Sequence, residues 1–191
     1  FKRDGVFAME LGGPEVGRGC GGRGIIHGFE TLEKLGFHDW GFDYVLLDFL
    51  GDVVCGGFGL PIARDMCQKV IVVGSNDLQS LYVANNVCKA VEYFRSMGGN
   101  VGVAGMIVNK DDGTGEAQAF AKAVDIPVLC ALHGWVMGGS FQRALLCDVR
   151  VAAAGTRFRL PELTYGVVPD LGGPARLFQM CGHGVVSDMV L

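Results

Sequence analysis

Two cysteines, Cys20 and Cys55, each lie among glycines, in the segments "GGPEVGRGCGGRG" and "LLDFLGDVVCGGFG". Glycine lets backbone amides approach a sulfur-ligated centre closely, and amides at a helix start favour the thiolate over the thiol. Both cysteines are therefore predicted to be metal ligands. Because a cubane iron-sulfur cluster needs four thiolates, two such cysteines per chain predict one cluster shared by two chains on a two-fold axis.

The apolar run that ends at Asp48 is followed closely by Gly51, which is the arrangement of a nucleotide-switch loop. A carboxylate at the end of a strand organises Mg²⁺, and a nearby glycine amide senses the terminal phosphate. Asp-x-x-Gly alone is a weak signal. Since Cys55 lies only a few residues further on, such a loop would couple the phosphate state to a cluster ligand.

Apolar periodicity predicts an α/β fold with five strands and four helices. The helices are predicted over residues 24–35, 78–97, 114–124 and 138–147, and the strands over 44–49, 69–73, 101–108, 126–132 and 149–153. Strands that are apolar throughout and alternate with helices predict a parallel sheet covered on both faces. The alternation continues across residues 124–140 without a linker, so the local pattern predicts one continuous domain.

The composition limits the class of protein. Half of the residues are hydrophobic and 19% are charged, which is typical of a packed globular chain. A net charge of −4 without a basic stripe argues against a nucleic-acid partner. Apolar runs far shorter than roughly 20 residues predict no membrane span. Seven cysteines without an export signal favour a reducing cytoplasm, and the missing initiator Met suggests that the chain begins inside a longer reading frame.

Residues 1–128 resemble the nitrogenase iron-protein family, on the segments around Cys20 and Cys55 together with "ANNVCKAVEYF" and "GMIVNKDDGTGEA". The resemblance implies part of a P-loop-NTPase-like parallel sheet with flanking helices. It also implies a homodimer that holds one [4Fe-4S] cluster through Cys20 and Cys55. In that family, Mg-ATP hydrolysis drives docking and electron transfer to a separate catalytic component.

The same resemblance implies roles for further residues. Asp48, Gly51 and Asp52 would serve the nucleotide switch, Asn109 would contact the nucleotide base, and Arg23 would lie on the partner-docking surface. An asparagine after a strand also commonly caps a turn, and an isolated arginine is commonly a solvated charge, so both alternatives stay open. The family's phosphate loop, G-x-x-x-x-G-K-[ST], does not occur in the sequence, which predicts that the chain as given does not hydrolyse ATP.

Residues 127–191 resemble a second family, the enoyl-CoA hydratase/isomerase (crotonase) superfamily, and residues 129–191 are predicted to be its segment of the chain. The resemblance rests on "HGW", "GGS", "LLCDVRVA", "LPE" and "GVVPDLGG". It implies a partial crotonase-like β/α segment, without its N-terminal half and C-terminal helices, and a CoA thioester as ligand.

By this second resemblance, Gly139 would donate an amide to an oxyanion, and Glu162 would be an acid/base carboxylate. The second carboxylate of hydratases falls at Gln142, which cannot take a proton from water, so an isomerase that uses Glu162 or Asp170 fits better. The alternative is that Glu162 only caps the turn after Pro161.

The two resemblances leave three hypotheses for the whole chain. The first is an electron-transfer subunit that uses residues 1–128, and the second is an acyl-CoA enzyme that uses residues 129–191. The third is a non-functional fusion of two gene fragments, joined within residues 126–132. Whether the chain is an enzyme is left open.

Overall fold

The computed structural model describes residues 2–11, 21–49, 59–64 and 66–191. Four of the predicted site residues, Cys20, Gly51, Asp52 and Cys55, lie outside these ranges. The chain divides into two compact units, Phe1–Val70 with Asn85–Gly102 and Ile71–Ala84 with Val103–Leu191. Among the helices that the structure describes, none has the length and apolar character required to cross a bilayer.

The described residues in the N-terminal part of the first unit include a short hairpin and two α-helices. A short antiparallel hairpin of β1 (Lys2–Arg3) and β2 (Val6–Phe7) precedes α1 (Gly21–Lys34) and the five-residue α2 (Gly59–Ala63). Phe29 and Leu32 on α1 and Ile62 on α2 are buried. Arg64 forms an ion pair with Glu33 of α1. The helix predicted over residues 24–35 is confirmed, with a start three residues earlier.

The buried strand predicted over residues 44–49 is wrong. This segment has no strand structure, and the side chains of Tyr44 and Leu46 are 90% and 92% exposed. An apolar run becomes a strand only where a neighbouring strand pairs with its backbone N–H and C=O groups. The described four-stranded sheet does not include this segment, so Asp48 does not end a strand and is exposed.

The predicted alternation of strands and helices from residue 69 onward forms a four-stranded sheet with its connecting helices. Its elements come in the order β3 (Lys69–Gly74), α3 (Leu78–Ser96), β4 (Gly102–Val108), α4 (Glu116–Ala123), β5 (Val128–Leu132), β6 (Trp135–Met137), α5 (Gly139–Leu146) and β7 (Val149–Ala152). The strand order is β3-β4-β5-β7, with β6 outside this sheet, and both the β4–β5 and β5–β7 pairs are parallel. The mixed α/β class, the four strands and the predicted helices α3, α4 and α5 are confirmed.

Burial on both faces of the sheet is a wrong prediction for the outer strands. Ile71 and Val73 on β3 are 49% and 62% exposed, and Val149 and Val151 on β7 are 44% and 62% exposed. β-branched residues fit the pleated backbone of a strand whether or not another layer covers them. An apolar run therefore predicted the strand correctly but not its burial.

The C-terminal part builds a smaller layer around β6 and α5. Strand β8 (Arg157–Arg159) pairs in parallel with β6, a 3-10 helix covers Pro161–Tyr165, and α6 (Gly173–Cys181) and α7 (His183–Val190) complete the chain. These elements enclose a core of five buried residues: Val136, Phe141, Leu145, Leu160 and Leu177. This layer positions the N-terminus of α5.

The other core of the second unit contains residues from both sides of position 128. Met106 and Ala117 pack in one cluster with Val128 and Cys147. A Cβ on Gly105 of β4 would lie 2.0 Å from Leu129 Cδ1 and 2.8 Å from the carbonyl oxygen of Pro127. The two family-like segments thus share one core, and the boundary at residue 128 stays a prediction about their origin.

Candidate functional site

A polar cluster lies where β3 and β4 end. The side chain of Asn76 is 7% exposed, and its amide nitrogen donates to Asp111 Oδ1 at 2.8 Å and Asp112 Oδ1 at 2.6 Å. Its oxygen accepts from the backbone N–H of Ala117, in the first turn of α4, at 2.9 Å. The Thr114 backbone N–H, the Thr114 hydroxyl and then Asn76 hold the pKa of Asp112 below its usual range. The cluster therefore fixes the loop after β4.

Asn109, the predicted base-contacting residue, begins this loop and is exposed. Its backbone N–H donates to the carbonyl of Gly74 at 2.7 Å, which extends the pairing of β3 and β4. Its side-chain oxygen accepts from the backbone N–H of Lys110 at 3.0 Å. Asn109 thus caps its own turn, and its exposed position is compatible with the nucleotide contact that stays a prediction.

Two other predicted residues, which both belong to the first unit, are also exposed. Arg23 lies in the first turn of α1, directly after the segment that contains Cys20, and Asp48 lies in the extended segment before residue 50. Exposure of Arg23 is what a docking role requires. The arrangement of Arg23 and Asp48 relative to Cys20 and Cys55 lies outside the described residues.

The second candidate site is built around the N-terminus of α5. Gly138 has φ 57° and ψ −131°, a left-handed backbone that favours glycine, and its N–H donates to the carbonyl of Arg159 at 3.0 Å. Gly139 is the first residue of the helix, so its N–H has no acceptor within the helix. A Cβ on Gly138 would lie 3.6 Å from Glu162 Oε1, which places that carboxylate beside the helix start.

Gln142 joins three elements of this site. It is 2% exposed, and its Nε2 donates to Glu162 Oε1 at 2.8 Å. Its Oε1 accepts from the backbone N–H groups of Leu171 at 3.0 Å and Gly173 at 3.3 Å. Gln142 is therefore a buried strut between α5, the 3-10 helix and α6.

The structure places Glu162 beside Gly138, the residue that precedes Gly139, but it does not bring Asp170 to Glu162. The second oxygen of Glu162, Oε2, is buried and has no hydrogen-bond partner. Asp170 is exposed, and none of the described contacts joins it to Glu162. A carboxylate with one fixed and one unpaired oxygen is suited to hold or accept a proton.

A cavity between β5 and α5 was not predicted from the sequence. It has a volume of about 210 Å³ and is lined by residues from both family-like segments: Val108, Asp111, Gln118, Leu129, Cys130, Ala131, Leu132, Ser140, Arg143, Ala144 and Cys147. At its wall, Arg143 Nε of α5 lies 3.1 Å from Asp111 Oδ2. No periodicity or motif signals this pairing, because the two residues are brought together only by the packing of α5 on the sheet.

The cysteines of the described residues differ in exposure. Cys88 and Cys147 are buried, Cys67 and Cys130 are half-buried, and Cys181 is exposed. Burial raises the pKa of the Cys67 and Cys88 thiols. Among the described residues, no group of three or more metal-ligating side chains lies together.

Comparison with known proteins identifies the class to which this chain belongs. The family model described as "4Fe-4S iron sulfur cluster binding proteins, NifH/frxC family" matches residues 1–137, which is more than two thirds of the chain. The chain therefore belongs to this family. A second model, "Enoyl-CoA hydratase/isomerase", matches residues 110–191, so the resemblance to two families is confirmed.

Among curated proteins, the chain is 86% identical over 132 residues to the chlorophyllide reductase 35.5 kDa chain of Cereibacter sphaeroides, and 86% identical over 132 residues to that of Rhodobacter capsulatus. Each match covers 69% of this chain and 40% of the relative. The chain thus spans well under half the length of these relatives. Among solved structures, enoyl-CoA hydratase subunit I of Geobacillus kaustophilus matches with a TM-score of 0.37 and 22% identity, over 65% of this chain and 58% of that one.

Proposed function

We propose that residues 1–128 are part of an ATP-dependent electron-transfer subunit, the iron-sulfur subunit of chlorophyllide a reductase in bacteriochlorophyll biosynthesis. The observation that carries this proposal is the 86% identity to two chlorophyllide reductase chains. The family match over residues 1–137 includes both predicted cluster ligands. The proposed partners are a second copy of the chain and the catalytic component of chlorophyllide a reductase, in the cytoplasm.

Cys20 and Cys55 from each of two chains are the proposed ligands of one shared [4Fe-4S] cluster. Gly21, the next residue after Cys20, begins the 14-residue helix α1. Backbone N–H groups at a helix N-terminus favour a thiolate, which is the form that ligates iron. When bound, the cluster would supply one-electron transfer to the catalytic component.

The nucleotide and docking parts of the proposal involve five further residues. Asp48, Gly51 and Asp52 are proposed to form the switch, Asn109 to contact the base of Mg-ATP, and Arg23 to dock on the catalytic component. Exposure of Arg23, Asp48 and Asn109 supports these roles. Because the sequence contains no G-x-x-x-x-G-K-[ST] motif, we propose that these 191 residues do not hydrolyse ATP by themselves.

Anaerobic reconstitution with iron and sulfide tests the cluster proposal. We expect a coloured dimer with about four iron atoms per two chains. Cys20→Ser and Cys55→Ser should each abolish the colour and the dimer, whereas Cys181→Ser, at an exposed cysteine outside the proposed site, should change neither. A colourless monomer, or equal iron loss in the Cys181→Ser control, would exclude a shared cluster.

A second function, acyl-CoA isomerisation or hydration, is favoured by the position of Glu162 beside the start of α5. The Gly139 N–H would stabilise the negative charge that develops on a thioester oxygen, and Glu162 would move the proton. Turnover of crotonyl-CoA or a β,γ-unsaturated isomer tests this function. Glu162→Gln should abolish any activity. Asp170→Asn, at an exposed residue, should lower the activity only if Asp170 acts as a second catalytic carboxylate. Activity that survives Glu162→Gln excludes the proposed chemistry.

The third hypothesis, a fusion of two gene fragments without a joint activity, is supported by the overlap of two unrelated family models within residues 110–137. Long-read sequencing of the source DNA across the codons for residues 126–132 tests it. A continuous reading frame in independent samples would exclude an assembly error, and the two activity tests above then decide whether either segment works.

A further inference from the structure

Cys130 and Cys147 form a pair at the wall of the cavity between β5 and α5. Cys130 lies in β5 and is half-buried, and Cys147 comes directly after α5 and is 5% exposed. Both line the cavity of about 210 Å³, together with Asp111, Ser140 and Arg143. Cys130 packs against the buried core cluster that contains Cys147, and the Cys147 thiol donates to the carbonyl oxygen of Arg143 at 3.6 Å. The two thiols therefore belong to the same packed cluster, beside a space large enough for a small molecule.

The surroundings make the two sulfurs chemically different. A hydrogen bond from Cys147 and the nearby Arg150 guanidinium lower the pKa of Cys130 to about 7, against the opposing effect of burial. The shared hydrogen bond and burial raise the pKa of Cys147. Arg150 is the β7 partner of Cys130 in the sheet register, and its guanidinium also donates to the Cys147 carbonyl. The lowered pKa of Cys130 favours this residue as the attacking thiolate, and the raised pKa of Cys147 favours its protonated form.

We propose that Cys130 and Cys147 are an oxidation-sensitive dithiol, which hydrogen peroxide entering the cavity converts to an intrachain disulfide. The Cys130 thiolate attacks one oxygen of the peroxide, the O–O bond breaks, and hydroxide leaves to give a sulfenic acid on Cys130. The Cys147 sulfur then attacks the Cys130 sulfur, the S–O bond breaks, and the Cys147 proton leaves with the departing oxygen as water.

The electrons and atoms balance in this scheme. The two thiols together lose two electrons and two protons, and one peroxide is reduced to two water molecules. A dithiol reductant reverses the change by thiol–disulfide exchange. The new bond would tie β5 to the end of α5, between residues that already share a core, and it requires neither the iron-sulfur nor the acyl-CoA proposal.

Peptide mapping of the full chain tests the proposal directly. Trypsin cleaves after Lys122, Arg143 and Arg150, so Cys130 falls in the peptide 123–143 and Cys147 in the peptide 144–150. After treatment with hydrogen peroxide and alkylation of the remaining thiols, we expect these two peptides to be joined by a disulfide. Dithiothreitol should release them. Cys130→Ser and Cys147→Ser should each remove the joined species, whereas Cys181→Ser should leave it unchanged.

Alkylation kinetics of the wild-type chain provide a measurement that does not depend on variants that could fail to fold. At neutral pH, iodoacetamide should modify Cys130 about tenfold faster than the half-buried Cys67, because a larger thiolate fraction outweighs the lower nucleophilicity of a weaker base. Equal rates at Cys130 and Cys67 would overturn the proposal. So would recovery of Cys130 as a free thiol, or as a sulfinic acid unlinked to Cys147, after peroxide treatment.

Discussion

The Nε2 of Gln142 donates a hydrogen bond to Glu162 Oε1 at 2.8 Å, and this bond joins α5 to the 3-10 helix Pro161–Tyr165. A neutral amide at that distance holds a carboxylate without charge repulsion. The Gln142 Oε1 also accepts hydrogen bonds from the Leu171 and Gly173 backbone amides, which connects Gln142 to the start of α6. In this chain the contact therefore stabilises the fold and orients Glu162, and it supplies no second proton carrier.

Replacement of Gln142 by alanine should lower the free energy of unfolding by about 3 kcal/mol, because it leaves Glu162 Oε1, the buried Gly173 amide and the part-buried Leu171 amide without these partners. Urea unfolding followed by circular dichroism measures the loss. Gln79→Ala, at an exposed position of α3, is the matched control and should change stability by less than about 0.5 kcal/mol. Similar losses in both variants would contradict the strut role of Gln142.

Substitution of Asn76 should also lower the free energy of unfolding strongly. Asn76→Ala removes three hydrogen bonds of a buried side chain. Because Asp111, Asp112 and the Ala117 amide lose these partners, the free energy of unfolding should fall by about 2–3 kcal/mol. Hydrogen exchange should then show faster opening at the start of α4. Asn100→Ala, at an exposed asparagine, serves as the control; an equal loss there would argue against the polar cluster.

The close approach of β4 and β5 across the predicted boundary can be tested with alanine at Gly105. The new methyl group would lie 2.0 Å from Leu129 Cδ1 and 2.8 Å from the Pro127 carbonyl. The leucine can rotate but the carbonyl cannot, so we expect a loss of about 2 kcal/mol in unfolding free energy. Gly102→Ala, on the same strand with no atom within 4 Å of the added Cβ, should be nearly neutral.

The alkylation rate of Cys130 should depend on pH around neutrality. The pKa of Cys130 is lowered to about 7 from 9.0, so the thiolate and hence the rate should rise through pH 7 and level off above it. The facing charged and titratable groups are Asp111, Arg143, Cys147 and Arg150. Rates at pH 5–9, read by mass spectrometry of the peptide 123–143, should be half-maximal near pH 7. Arg150→Gln should shift the midpoint upward, and an unchanged midpoint would contradict the role of Arg150.

Much of the fold could be predicted because it depends on patterns that are local in the chain. The alternation of apolar strands and amphipathic helices from residue 69 to residue 153 is confirmed within a few residues at each end. The failure at residues 44–49 has the opposite cause, since a strand needs a partner that periodicity does not reveal. Exposure of Ile71 and Val151 likewise depends on which layers are present and not on the strand's own residues.

By itself, the sequence determined the two family resemblances, the parallel α/β pattern and the identity of the candidate ligands, because these depend on residue types at short spacing. Only the tertiary structure decided that Gln142 supports Glu162, that Asn76 fixes the Asp111–Asp112 loop, and that Cys130 and Cys147 line the same cavity. Those residues are 17 to 36 positions apart. Their contacts arise only when elements distant in the chain pack together, and the energy of that packing depends on shape and burial, which spacing along the chain does not encode.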